Sequence, residues 1–137
     1  MIEIQIDYRG ELHCDAVHGP STALVSTDAP VDNNGKGQAF SPTDLVATAL
    51  ASCMITVMGI KAKDKGLDID GTSAEINKVM ASGPRRIERV EITLTFPPAA
   101  KNFGEKDKKF LEKTALTCPV ALSLSENTEQ KVEFVWP

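Results

Sequence analysis

The first quarter of the chain alternates between apolar and polar side chains with the period of a β-strand. The alternation is clear over residues 2–6 and again over residues 11–16, and residues 22–27 form a third stretch of this kind. Turn-forming residues separate the stretches at positions 8–10 and 18–21. A period of two between short turns is typical of hairpin-connected strands. The pattern therefore predicts a three-stranded β-meander.

A polar segment and then a long apolar segment follow the predicted meander. Residues 28–38 are rich in Asp, Asn and Gly, which predicts a loop long enough to be functional. Ser41 can cap a helix, Pro42 suits its first position, and Asp44 completes a Ser-x-x-Asp capping box. Residues 45–60 are uncharged, and three lysines and a glycine follow. These signals predict a helix from the Ser41 cap to that glycine.

Apolar residues of 45–60 cover nearly the whole circumference of this helix. A helix that is apolar all round is buried on all sides. A single sheet in a chain of 137 residues can hardly enclose such a helix. We therefore expect that a partner subunit covers part of it.

The rest of the chain returns to strand patterns and adds two more helices. The strand pattern covers residues 67–70 and 72–80, which count as one strand in the predicted order, and it leads through a turn with two arginines over 82–86 into a strand over 89–96. We also predict helices over 106–116 and from Pro119, and a last strand over 131–136. The predicted order of elements is βββ–α–ββ–αα–β. This order is typical of an α+β fold with helices on a mostly antiparallel sheet. We expect one domain over residues 1–137, built around the buried central helix.

Composition and charge narrow the classes of function. The chain has 15 basic and 19 acidic residues, a net charge of −4 and no basic stripe, which argues against a nucleic-acid partner. The uncharged run 45–60 is shorter than the about 20 apolar residues that cross a bilayer, so we expect no membrane partner. The N-terminus lacks the basic region and apolar block of a signal peptide. We therefore expect a cytoplasmic protein.

Three cysteines are the residues best suited to chemistry. Cytoplasmic thiols are normally reduced, and a disulfide there is more often catalytic than structural. Cys53 lies in the apolar helix, and Cys118 stands just before a proline where a helix would begin. The residues alone leave two interpretations of the pair, unrelated buried thiols or a redox couple. We expect Cys14 to pack in the core, and its neighbours His13 and His18 lack the spacing of a zinc site.

Two segments carry a resemblance to a known family. Phe40–Cys53, with the sequence FSPTDLVATALASC, is similar to an Asn/Ser-Pro-x-x-Leu…Ala-x-Cys helix, and Cys118–Leu122, with the sequence CPVAL, is similar to a second-cysteine segment. Both motifs belong to the OsmC/Ohr family of osmotically inducible and organic-hydroperoxide-resistance proteins, which the chain resembles over essentially its whole length. The resemblance implies an OsmC-like fold and an intertwined homodimer with active sites at the subunit interface.

The resemblance also implies a chemistry for the two cysteines. Cys53 would attack the O–O bond of an organic hydroperoxide and become a sulfenic acid, which Cys118 would resolve as a disulfide. An external dithiol such as a lipoyl group would restore both thiols, and no bound cofactor is implied. Cys53 lies about three turns into its helix, beyond the reach of the helix dipole. Its thiolate therefore needs a nearby cation.

The residues available to stabilise this thiolate depart from the family's pattern. Better-known members carry a glutamate directly after the motif proline, which holds an arginine over the reactive thiol. Thr43 occupies that position here, and Asp44 follows as either a helix cap or an arginine-orienting residue. Arg9, Arg85 and Arg86 are the candidate cations, with a solvated surface pair as the alternative for the last two.

Two functions from different classes remain open. The first is a thiol-dependent peroxidase that defends against oxidative stress by reducing organic hydroperoxides through Cys53 and Cys118. The second is a non-catalytic OsmC-like dimer that binds a small apolar ligand near Cys53. The sequence does not separate them, because both rest on the same helix and the same cysteine.

Overall fold

The computed structural model describes residues 1–137 and contains the elements in the predicted order. The strands are β1 (Ile4–Gly10), β2 (His13–His18), β3 (Leu24–Asp28), β4 (Ser73–Ser82), β5 (Arg85–Thr95) and β6 (Glu129–Val135). The helices are α1 (Pro42–Asp64), α2 (Glu105–Leu116) and α3 (Pro119–Ser123), with 3₁₀ turns at Val31–Asn33 and Pro98–Asn102. The order of elements confirms the predicted α+β class.

The chain forms two compact units, Met1–Val46 and Ala47–Pro137. The first contains the antiparallel meander β1-β2-β3, as the period-two pattern predicted. The second contains the sheet β4-β5-β6, in which β4 and β5 are antiparallel while β6 runs parallel to β5. The prediction of mostly antiparallel pairing is confirmed. A single domain over residues 1–137 stays a prediction.

Three local predictions were wrong. Residues 67–70 form no strand, because the Asp70 amide donates to the side chain of Asp68 at 2.8 Å and so bends the backbone. Arg85 and Arg86 lie at the start of β5 rather than in the turn, since strand pairing extends to Ser82 and Arg85. The third strand begins at Leu24 and not at residue 22, where a φ of 59° is incompatible with extended backbone.

The N-terminus of α1 confirms the predicted capping box. The Asp44 amide donates to Ser41 Oγ at 3.1 Å, and the Ser41 amide donates to Asp44 Oδ2 at 2.9 Å. The reciprocal bonds satisfy two of the backbone donors that a helix leaves unpaired at its start. The helix therefore begins at Pro42, at the position that the sequence specified.

One side of α1 forms the core of the second unit. The buried helix residues recur every three or four positions: Ala47, Leu50, Ala51, Met54, Met58 and Ala62. They share one apolar cluster with Val90, Ile92 and Leu94, the alternating core-facing residues of β5. A helix presents one face at intervals of three or four residues, and a strand presents one face at every second residue. Each of the two sets of residues therefore lies on a single face of its element.

The opposite side of α1 is exposed within the chain. Its residues are Thr48, Ala49, Ser52, Thr56 and Ile60. The first unit also exposes apolar side chains of β1, with Ile4, Ile6 and Tyr8 each more than half exposed. The helix is thus buried on one side only, and the expected cover by a partner subunit stays a prediction.

By length and composition, α1 could cross a membrane. It has 23 residues, and its most apolar stretch has a mean hydropathy of 1.8. The helix is longer than the uncharged run 45–60, because it also includes the capped first turn and the last turn with its lysines. About 33% of the apolar stretch is buried inside the protein, and a core helix passes the same test of length and hydropathy.

We predict that the chain is a dimer whose interface includes the exposed side of α1. Sedimentation velocity at micromolar concentration should give a dimer for the wild type. Thr56→Lys places a charge on this side and should shift the protein to a monomer, because an unpaired charge in an apolar interface is costly. Thr117→Lys adds the same charge at an exposed site of the second unit and should leave the dimer intact. A stable wild-type monomer would contradict the prediction.

Candidate functional site

Cys53 and Cys118 lie next to each other in the second unit. Cys53 is half-buried on α1 and packs against the apolar cluster, whereas Cys118 belongs to that cluster and is 1% exposed. Cys53 packs against the cluster that contains Cys118, and its side chain influences the pKa of the Cys118 thiol. Both are free thiols. The structure therefore brings together the two cysteines that the sequence singled out.

Cys118 is the N-cap of α3. Its Sγ accepts a hydrogen bond from the Ala121 amide at 3.4 Å. Burial raises the pKa of the Cys118 thiol above its ordinary value, and the neighbouring Cys53 sulfur contributes in the same direction, while the amides of Ala121 and Val120 oppose them. The net effect is a higher pKa, so Cys118 is held as the neutral thiol at neutral pH.

Gln130 was not singled out from the sequence, although its pattern contained a signal. Along β6, Gln130, Val132 and Phe134 alternate with exposed neighbours, so an amide occupies a position in an otherwise apolar row. Its Nε2 donates to the Ala121 carbonyl at 3.0 Å. Gln130 therefore ties α3, which begins at Cys118, to the central sheet of the second unit.

The residues predicted to stabilise a thiolate make other contacts. Asp44 caps α1 as described, and Thr43 Oγ1 lies 3.2 Å from Ser41 Oγ in the same capping turn. The capping interpretation of Asp44 is thus supported by its bonds, while an arginine-orienting role for Asp44 or Thr43 stays a prediction.

The three candidate arginines differ in their surroundings. Arg9 binds Asp15 at 3.0 Å and approaches Asp7 at 3.9 Å, within the first unit. Arg86 donates from Nη1 to the backbone carbonyls of residues 87 and 127, each at 2.9 Å. Arg85 lies at the exposed start of β5. The contacts of Arg9 and Arg86 give these two residues structural roles, and the pairing of any of the three arginines with a thiolate stays a prediction.

His13 forms a charged cluster in the first unit that sequence reasoning missed. Its Nδ1 lies 2.5 Å from Asp28 Oδ1 and its Nε2 lies 3.0 Å from Asp15 Oδ1. Asp15 also accepts from Ser26 Oγ at 2.7 Å, and Asp28 accepts from the Gln38 amide at 2.9 Å. The hydrogen bond with Asp28 is the main cause that raises the pKa of His13. The cluster joins two strands to the loop that precedes α1.

Cys14 does not pack in the core as expected. It is half-buried and lines an apolar cleft of about 310 Å³ in the first unit, together with Ile6, Val25 and Leu45. The period-two pattern correctly placed the residue on a strand face. It did not show that the face lies open within the chain.

Comparison with protein-family models gives one decisive result. The model of OsmC-like proteins matches residues 35–133, which include the capped helix, both clustered cysteines and Gln130. The chain belongs to the OsmC-like family. A search of curated protein sequences gave no match.

Solved structures agree with this membership. A Psychrobacter arcticus structure, described as an osmotic stress induced and detoxification response protein, is 51% identical, with a TM-score of 0.91 over 98% of this chain and 96% of that chain. The organic hydroperoxide resistance protein OsmC from Legionella pneumophila is 14% identical, with a TM-score of 0.75 over 98% of this chain and 96% of that chain. OhrB of Bacillus subtilis is 16% identical, with a TM-score of 0.68 and coverages of 98% and 97%. The last two show a shared fold.

We predict that mild treatment with an alkyl hydroperoxide links Cys53 to Cys118. A disulfide needs Cα atoms roughly 4.4–6.8 Å apart, and Cys53 packs against the cluster that contains Cys118. Mass spectrometry of a non-reducing digest should find this pair and should find Cys14 reduced. Cys14→Ser is the matched control and should give the same crosslink. Two free thiols after treatment, or a crosslink that contains Cys14, would refute the pairing.

We predict a second, independent effect from the pairing of His13 with Asp28. A raised histidine pKa stabilises the fold below 6.5 and loses that contribution as pH rises through the raised value. A lowered aspartate pKa stabilises the fold above 3.8 and loses its contribution as pH falls through the lowered value. His13→Gln should therefore lower the melting temperature most between pH 3.8 and pH 6.5.

Thermal melts at a series of pH values test this expectation. His18→Gln is the control, since the His18 ring contacts the Ser21 hydroxyl rather than a carboxylate. A difference in melting temperature between wild type and His13→Gln that is the same at every pH would show that the charged pair makes no pH-dependent contribution to stability.

Proposed function

We propose that this chain is a thiol-dependent peroxidase that reduces organic hydroperoxides. The observation that carries the proposal is that the half-buried Cys53 thiol packs against the apolar cluster that contains the buried Cys118 thiol. A pair of adjacent free thiols, one accessible and one protected, has the arrangement that a peroxidatic and a resolving cysteine require.

The first step oxidises Cys53. Its thiolate attacks the terminal oxygen of the hydroperoxide, the O–O bond breaks, and the alkoxide leaves and takes up the proton that the thiol lost on ionisation, which gives the alcohol. Cys53 becomes a sulfenic acid. Only the thiolate is an effective nucleophile, and an unperturbed thiol is a few per cent ionised at pH 7. We therefore expect a cation near Cys53 in the assembled protein, with Arg9, Arg85 and Arg86 as the candidates.

The second step forms the disulfide. The Cys118 sulfur attacks the Cys53 sulfur, the S–O bond breaks, and water leaves with the Cys118 proton. The amides of Val120 and Ala121 already point at the Cys118 sulfur. They stabilise negative charge as it develops there, which offsets part of the cost of burial. An external dithiol, such as a lipoyl group, then reduces the disulfide by two thiol–disulfide exchanges.

The apolar surroundings favour an organic rather than an inorganic peroxide. Cys53 packs against the apolar cluster of α1 and the sheet, so the tail of an organic hydroperoxide gains from burial there while its polar end reaches the sulfur. The relatives named for organic hydroperoxide resistance share this fold. A cytoplasmic homodimer with the site at its interface, without a bound cofactor, completes the proposal.

The apolar cluster beside Cys53 also supports the second candidate function. A dimer that binds a small apolar ligand near Cys53 without reacting needs these apolar side chains but does not need the thiolate. The sequence feature that favours this ligand-binding function is Thr43, which stands where the family carries a glutamate. Peroxide consumption by cysteine variants separates the two functions.

We predict that Cys53→Ser abolishes the consumption of an alkyl hydroperoxide in the presence of dihydrolipoamide. Cys14→Ser should retain wild-type activity and serves as the matched control. Cys118→Ser should oxidise once and then stall, with Cys53 trapped as a sulfenic acid or over-oxidised. If wild type and Cys53→Ser consume peroxide equally slowly, the enzyme proposal is wrong and the ligand-binding dimer becomes the better account.

A further inference from the structure

We propose that Gln130 is a positioning residue that holds α3 closed and so keeps the Cys118 thiol against Cys53. The proposed peroxidase function supplies the catalytic consequence of this contact, while the contact itself can be tested without peroxide. Gln130 touches neither sulfur in the contacts described, and it acts through Ala121.

The position of Gln130 in β6 is the first argument. Its neighbours in the core-facing row are Val132 and Phe134, and the residues between them are exposed. An amide in such a row costs free energy unless it is hydrogen-bonded, and an apolar residue of similar size would avoid that cost. Gln130 is half-buried and meets the requirement with its bond to the Ala121 carbonyl.

Ala121 links Gln130 to the sulfur. Its amide donates to Cys118 Sγ at 3.4 Å, and its carbonyl accepts from Gln130 Nε2 at 3.0 Å. The amide of the buried Ala121 thus bonds the Cys118 thiol, and its carbonyl bonds Gln130 of the sheet. The bond from Gln130 therefore fixes the residue that orients the Cys118 sulfur.

α3 needs such a tie because it is short. It spans five residues, Pro119–Ser123, and helices well below about 12 residues are not stable by themselves in water. On this helix Ala121 is buried and Val120 packs against the apolar cluster, whereas Leu122 is 72% exposed and adds little packing. Because β6 is paired along its length with β5, the bond from Gln130 anchors α3 to a rigid element.

The contact predicts opposite effects on two reactions of Cys118. When α3 opens, the 1% exposed thiol becomes accessible, so alkylation becomes faster. The same opening moves the sulfur away from Cys53, so intramolecular disulfide formation becomes slower. Loss of global stability would also expose the buried Cys118, so a control variant that loses a different side-chain bond is needed to separate the two causes.

The first experiment measures alkylation of the reduced protein by iodoacetamide, resolved by mass spectrometry. Gln130→Met keeps the length of the side chain and removes the donor. We expect alkylation of Cys118 to rise roughly fivefold relative to that of Cys14, the size expected for one net hydrogen bond. Thr128→Val is the matched control, since it removes a side-chain bond of 3.2 Å to the Ile87 carbonyl just before β6.

The outcomes of this experiment are decisive for the contact. An unchanged ratio of Cys118 to Cys14 alkylation in Gln130→Met would overturn the proposal, as would an equal rise in Thr128→Val. Because no peroxide is used, this result is independent of whether the chain is a peroxidase.

The second experiment follows the two steps of the proposed reaction separately. With one equivalent of alkyl hydroperoxide, Gln130→Met should form the Cys53 sulfenic acid at the wild-type rate and form the disulfide roughly fivefold more slowly. Excess peroxide should then convert more Cys53 to sulfinic acid than in wild type or Thr128→Val. Equal slowing of both steps would refute a positioning role. Absence of any Cys53 oxidation in wild type would instead refute the proposed function.

Discussion

The burial of α1 is the constraint on which the site depends. Its buried row, which includes Leu50, Met54 and Met58, shares one apolar cluster with the core-facing residues of β5 and is removed from water within the second unit. This requirement fixes the rotation of the helix about its axis. Cys53 then falls at the boundary between the buried row and the exposed side that includes Ser52, so its thiol is half-buried and lies beside apolar groups.

The same core determines the state of the second thiol. Cys118 lies inside the cluster, and the loss of water around the sulfur raises the pKa of its thiol. The N-cap position supplies the opposing contribution, since backbone amides point at the sulfur. A resolving thiol needs this combination. In the proposed reaction Cys118 would stay protonated while Cys53 is reduced, and backbone donors would be in place when negative charge develops on its sulfur during attack.

Local signals in the sequence predicted the elements well and predicted their junctions less well. The capping box at Ser41 and Asp44 was correct, because a cap depends on residues a few positions apart. Residues 67–70 alternate like a strand and yet form none, since alternation does not reveal that the side chain of Asp68 accepts a hydrogen bond from the Asp70 amide. The parallel pairing of β6 with β5 is a long-range property that no local pattern contains.

The residues of the first and second units differ in how well the sequence predicted their contacts. The pairing of Cys53 with Cys118 came from the family resemblance, because residues far apart in the chain carry no local sign of contact. Gln130 carried a sign that was overlooked, an amide in the core-facing row of a strand. The cluster around His13 joins three separate segments through side chains, and such contacts become visible only in the folded chain.

The difference in exposure between the two thiols gives the proposed reaction its direction. A peroxide in solution reaches the half-buried Cys53 before it reaches Cys118, whose surface is almost wholly covered. In the proposed reaction, oxidation would therefore start at the residue on helix α1 and end at the residue on the short helix α3. The division is physically sensible, because the attacking thiol must stay in place to receive substrate, whereas the resolving thiol must move only far enough to form one bond.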